Sequence, residues 1–185
     1  MPKIIKNVDQ TIRECARELF IQSSFNDVDM QMISKKSGIA VGTLYHYYVS
    51  KKQLYISILN ESWESTFRRL DAVNHSDLPS KEKLRRFLCT LYDDIEARNG
   101  IGKVILNSSA DVFRDDKEVQ DIKNSLFLKT KTLFQSFKKI ETFGNCDAKL
   151  AETLIVSVLT MLEFYPNDKN GNIDYLSNYF NLTIL

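Results

Sequence analysis

Apolar residues recur every three or four positions along almost the whole chain, and strand-like alternation is absent, so the pattern predicts an all-α fold. The first stripe is Val8, Ile12, Ala16, Leu19 and Phe20, with Asn7 and Gln10 placed to cap its start. A long helix is expected from Lys51 to about Val73, carrying Leu54, Ile58, Trp63, Phe67 and Leu70, until the polar run from Asn74 to Pro79 ends it. From Ser80 onward, Leu84, Phe87, Leu88, Leu91, Tyr92 and Ile95 form a regular amphipathic face, with Asn99-Gly100 as its stop. A shorter helix through Val104 and Ile105 should follow. Next comes a periodic stretch with Val119, Ile122, Leu126, Leu133, Phe137 and Ile140, interrupted near Gly144 and Asn145. The segment from Leu150 to Phe164 is apolar on more than one face before Pro166 ends it, so it must meet a ligand, the core or another subunit. The last stripe, Ile173, Leu176, Tyr179, Phe180 and Ile184, lies where fraying is the rule and needs cover as well.

Between the first stripe and the long helix the pattern is denser in signals. Met30, Ile33 and Ser34 can share one face of a short helix, and Gly38 follows where the chain needs a left-handed residue to leave it. Ile39 and Leu44 would anchor the next segment, which leaves Val41, Gly42, Thr43, Tyr45, His46 and Tyr47 for an outward face. Hydroxyl and imidazole groups of this kind can bond phosphates and base edges, and Val41 can meet a thymine methyl, when a helix enters the major groove. Ser50 and Gln53 have capping-box spacing, so a helix should begin at Lys51 with its positive end and two lysines together, a candidate phosphate clamp. Two short helices, a glycine turn and a third capped helix give the layout of a DNA-reading helix-turn-helix. Gln31 is a further candidate from the second helix, whereas Lys35 and Lys36 read as a solvated face.

The run GIAVGTLYHYYVSKKQL resembles the signature of the TetR family of bacterial regulators, with its Gly-x-x-x-Gly-Thr-Leu-Tyr block, an aromatic and a Ser-Lys pair. Ile12, Cys15, Ala16, Leu19 and Phe20 match the first helix of that family, and Asp29, Met30 and Ile33 its second. The similarity extends over roughly residues 8 to 58, with departures at Ser24, Val28, Ser34 and Gln53. It implies an N-terminal three-helix DNA-binding domain, residues 1–54, followed by a C-terminal helical bundle, residues 55–185, for ligand binding and dimerisation. The resemblance further implies a repressor that binds double-stranded DNA at a palindromic operator as a homodimer and is released by an apolar or amphipathic small-molecule effector. DNA contacts then fall to Gln31, Val41, Gly42, Thr43, Tyr45, His46, Tyr47 and Lys51. The last two stripes would pair two chains through Ile155, Leu159, Leu162, Leu176 and Phe180. The bundle is rich in aromatic residues, and Trp63, Phe67, Phe87, Tyr92, Phe113, Phe127 and Phe134 are candidates to line an effector cavity.

Composition narrows the alternatives. The chain has 185 residues, 43% of them apolar, room for a small domain fused to a larger one. It lacks an apolar run of membrane-spanning length, and its start is too short and polar for a signal peptide, so a cytoplasmic protein without membrane contact is expected. Cys15, Cys89 and Cys146 are odd in number and irregularly spaced, which argues for reduced thiols. Net charge is only +1, yet residues 1 to 54 hold eight Lys or Arg against five Asp or Glu, so the basic end coincides with the helix-turn-helix. Only His46 and His75 are present, and no cluster has metal-ligand spacing or the form of a phosphate loop or nucleophile elbow, so neither an enzyme nor a cofactor is expected. The competing reading is a helical ligand-binding or protein-interaction module whose helix-turn-helix does not act on DNA.

Overall fold

The computed structural model of the protein describes residues 7–23, 25–98, 101, 113 and 115–185. The helix stop expected at Asn99-Gly100, the short helix through Val104 and Ile105, and the departure at Ser24 lie outside these residues. Among the described residues the regular structure is helical: α1 (Val8–Gln22), α2 (Met30–Ser37), α3 (Val41–Tyr47), α4 (Lys51–Asn74), α5 (Ser80–Ala97), α6 (Lys117–Gln135), α7 (Asp147–Phe164) and α8 (Lys169–Asn181), with a 3-10 turn at Glu141–Phe143.

Local chemistry sets the starts of these helices. The Asn7 side chain accepts from the Gln10 N–H and opens α1. Asp29 accepts from the Met32 N–H at 2.8 Å and opens α2. Asp116 does the same for α6 through the Glu118 and Val119 amides. At the head, α1 packs on α2 and on the start of α4, and α2 packs on α3. Their shared core holds Ile12, Ala16, Ile33, Leu44 and Leu54, all fully buried. Helix α4 then leaves the head and enters the body, where it packs on α5 and α6. Helix α5 meets α8, α6 meets α7, and α7 meets α8. One continuous helix therefore belongs to both the head and the body.

The C-terminal stripe is covered by its own chain. The Ile140 N–H donates to Thr183 O at 3.2 Å and the Leu185 N–H to Lys138 O at 2.9 Å, pinning the tail beside the segment after α6. The Lys139 ammonium donates to Phe134 O and Phe137 O and pairs with Asp147 at 3.0 Å, closing the same corner. Phe180 is fully buried against Phe134, with ring centroids 5.6 Å apart, and Leu176 is buried beside it. These two residues, expected at a subunit contact, are core residues of the single chain. On α7, Leu150, Ala151, Leu154 and Val158 face inward. Ile155, Leu159 and Leu162 are half-buried, and Val156 and Phe164 are exposed.

Candidate nucleic-acid interface

The turn between α2 and α3 depends on Gly38. Its φ of 69° and ψ of 15° are left-handed, and its N–H closes α2 on Ser34 O at 2.9 Å. Ser34 is also the anchor on the other side of the turn, since its hydroxyl donates to Ile39 O at 2.6 Å. A serine in a position where the resembled family favours alanine thus ties the two helices together. Ile39 and Leu44 point into the head core, as expected.

What remains on α3 is turned outward. Tyr45 is 49% exposed and Tyr47 44%, and Gly42 and His46 are exposed. Val41 and Thr43 are half-buried, and the His46 and Tyr47 rings meet edge to face at 5.8 Å. Gln31 is exposed on the neighbouring α2. Seven of the eight candidates therefore retain free surface on α2 and α3.

Lys51 differs from expectation. Its ammonium donates to Phe25 O at 2.6 Å and Val28 O at 2.7 Å, reaches Asn26 O at 3.5 Å, and lies 4.3 Å from the centroid of the Phe25 ring. These carbonyls belong to the link between α1 and α2, so the amine is engaged inside the head rather than turned toward a phosphate. Ser50 does cap α4, accepting from the Gln53 N–H at 3.1 Å, while Gln53 returns to the Val49 N–H at 2.8 Å. Lys52 pairs with Asp116 at 2.8 Å and Lys36 with Glu18 at 2.8 Å.

One structural residue escaped the pattern. Tyr48 is buried, and its hydroxyl donates to Asp9 Oδ1 at 2.5 Å, so it pins the end of α3 to the start of α1. Burial, and then the Asp9 contact, push its phenol pKa up. The signal was its spacing four residues after Leu44, which puts it on the inward side, whereas the adjacent Tyr45 and Tyr47 lie outside.

The seven aromatic candidates of the body do not gather in one place. Trp63 and Phe67 pair at 5.4 Å. Phe113 packs on Phe25 and Tyr55 beneath the head, and Phe134 lies at the α8 corner. Phe87 and Tyr92 are buried, and Phe127 is half-buried. Two cavities, one between α1, α4 and α5 and another between the 3-10 turn, α7 and α8, are lined by none of the seven. Trp63 Nε1 and the Tyr92 hydroxyl are buried without hydrogen-bond partners among the described residues, and burial pushes the Tyr92 phenol up to about 12.

A three-helix head with a glycine turn, an inward anchor on α3 and a polar, aromatic outer face is a helix-turn-helix domain. Residues 12–58 match the family model described as bacterial regulatory proteins, tetR family. The uncharacterised HTH-type transcriptional regulator YuxN of Bacillus subtilis is 32% identical over 91 residues, which are 49% of this chain and 31% of YuxN. The chain thus spans under a third of that relative. The fatty acid metabolism regulator protein of Bacillus subtilis is 21% identical over 183 residues, 96% of this chain and 91% of the relative. The solved transcriptional regulator FadR from Bacillus subtilis in complex with stearoyl-CoA shares the fold, with a TM-score of 0.67 at 16% identity over 91% of this chain and 97% of that one. The helix-turn-helix segment is thus similar to that of the bacterial tetR regulators, and the chain as a whole shares its fold with solved regulators of that kind.

Proposed function

We propose that this chain is a cytoplasmic, ligand-responsive repressor that binds a palindromic operator as a homodimer. Residues 1–54 read DNA, and residues 55–185 bind the effector and pair the subunits. The observation that carries this reading is the outer face of α3, where Tyr45 and Tyr47 stand exposed on a helix anchored from behind by Leu44. On this reading Thr43 and Tyr45 face base edges or the adjoining backbone, and Tyr47 donates to a phosphate. His46, Gly42, Val41 and Gln31 complete the surface. Phosphate contact at the start of α4 passes to the Lys51 and Lys52 amides, since the Gln53 N–H is taken by the Ser50 cap. An amphipathic effector is supported by the fold shared with the regulator solved with stearoyl-CoA.

Selection of duplex DNA from a random pool tests the reading and returns the operator. Enrichment of an inverted repeat, with affinity that falls steeply as salt rises, is expected. Tyr47→Phe together with Tyr45→Ala should weaken binding to that repeat at least tenfold with the fold intact. Equal, weak binding to selected and random duplexes, unchanged in the double variant, would overturn the reading in favour of a module that does not act on DNA. Among the described residues no helix is long and apolar enough to cross a membrane.

A further inference from the structure

Where the head meets the body, α1, α4 and the end of α5 border a cavity of about 300 Å³. Ile21, Ile58 and Ile101 supply apolar wall, and Ser62, Thr66 and Arg98 supply the polar one. Arg98 decides the chemistry. The residue is only 7% exposed, and its guanidinium lies 4.0 Å over the Trp63 ring. Its Nε donates to the Ser62 hydroxyl at 2.6 Å and its Nη2 to the Thr66 hydroxyl, with a longer contact to Ser62 O at 3.4 Å. The remaining nitrogen, Nη1, is buried and has no hydrogen-bond partner among the described residues.

A buried guanidinium is costly unless a counter-charge meets it. Of the two carboxylates on the cavity wall, Glu61 is engaged elsewhere and Asp94 is engaged through one oxygen, its Oδ2 being buried without a hydrogen-bond partner among the described residues. Glu61 pairs with Arg17 at 3.2 Å and Arg13 at 3.9 Å, and Asp94 accepts from Arg69 through Oδ1. Asp94 acts on Arg98 through space, yet desolvation outweighs it and lowers the guanidinium pKa to about 10. Among the described residues no ion pair joins Arg98 to any carboxylate. The cavity thus combines a cation with no directly bonded carboxylate and one free nitrogen, held in fork geometry by two hydroxyls and a ring, with a short apolar wall. A guanidinium fork of this kind is suited to a carboxylate.

We propose that this cavity is a second effector site that takes a short-chain monocarboxylate, its carboxylate on Arg98 and its tail against Ile21, Ile58 and Ile101. Occupancy bridges α1 of the head to α4 and α5 of the body, so it sets how freely one moves on the other. The site depends on the fold alone and is tested without DNA, so its failure and that of the regulator reading are separable. Trp63 is the only tryptophan in the chain and touches Arg98, which makes its emission the reporter.

The purified full chain is titrated with sodium butanoate at constant ionic strength, with butanamide as the uncharged analogue. A saturable change in emission is expected for butanoate, at least tenfold weaker for butanamide. Arg98→Lys, which keeps the charge and loses the fork, should weaken the response at least tenfold. Because a change at a buried arginine can disturb folding, Ala97→Leu is the second variant: it fills the cavity from an exposed wall position and should abolish the response with helicity unchanged. No saturable response in the folded wild type, equal responses to butanoate and butanamide, or a butanoate response untouched by Ala97→Leu would each overturn the proposal.

Discussion

Gly38 and Gly42 stand four residues apart and answer to opposite constraints. Around both, a Cβ would meet nothing within 4 Å, so neither is a glycine for want of space. Gly38 has a φ of 69°, and an L side chain there is strained by roughly 1–2 kcal/mol. Gly38→Ala should therefore lower stability by about that amount in urea unfolding. Gly42 lies within α3 at an ordinary helical φ, where alanine gains roughly 0.5–1 kcal/mol. Gly42→Ala should raise the unfolding midpoint and yet weaken operator binding, because the added methyl stands on the proposed DNA face. A variant that is more stable and binds as tightly as wild type would remove Gly42 from that face. Lys51 separates stability from binding in the other direction. Lys51→Met keeps an apolar stem and loses the bonds to the carbonyls of Phe25, Asn26 and Val28 together with the charge over the Phe25 ring. Charge-assisted bonds of this kind are worth roughly 1.5–3 kcal/mol, so a loss of about 2 kcal/mol is expected, with the salt slope of DNA binding unchanged. A slope lower by about one unit would return Lys51 to the phosphate.

Most head boundaries were legible in the sequence because each is set by a residue with one local job: Asn7, Gly38 and Ser50 cap or turn where the sequence reading places them, whereas Asp29, read there only as part of the second helix, is its N-cap. The bonds of Lys51 were not legible, because its amine is recruited by carbonyls more than twenty residues earlier, a contact that no local pattern encodes. Leu176 and Phe180 were misplaced for a similar reason. Periodicity shows that a helix has an apolar face, but whether that face meets its own chain or a partner depends on packing. The tie between head and body is also non-local. Lys52, in the first turn of α4, pairs with Asp116, the cap of α6. Burial alone would raise the Asp116 carboxyl, but the Lys52 hydrogen bond and charge, with the Val119 and Glu118 amides, outweigh it and hold the pKa below the ordinary value. A depressed carboxyl stabilises the fold fully above its unfolded value of about 3.9, and that contribution disappears as pH falls through the lower folded value. Asp116→Asn should melt a few degrees below wild type near neutrality, and the gap should close on acidification. A gap independent of pH would mean that the carboxylate charge is not what joins α4 to α6.

At the scale of the whole molecule, several of the exposed large apolar residues among the described residues lie on or beside the last two helices. Val156 is 61% exposed on α7, Tyr175 and Tyr179 stack outward on α8 at 6.4 Å, and Leu182 is exposed beyond them. Large exposed apolar residues mark an interaction surface, and in the proposed homodimer a second copy would cover them with closed two-fold symmetry. A seven-residue α3 makes few base contacts by itself, so pairing two heads across half-sites roughly 34–36 Å apart supplies both affinity and register. Leu159 is a poor probe of this contact, because it is half-buried and a charge there would disturb the protomer as well. Val156→Glu with Tyr179→Glu places charge on exposed positions only. Sedimentation should show monomers with an unchanged helical spectrum, and operator affinity should fall to that of an isolated half-site. A dimer that survives both changes would move the interface away from α7 and α8, and monomers that still bind the full palindrome tightly would mean that the two heads read it independently.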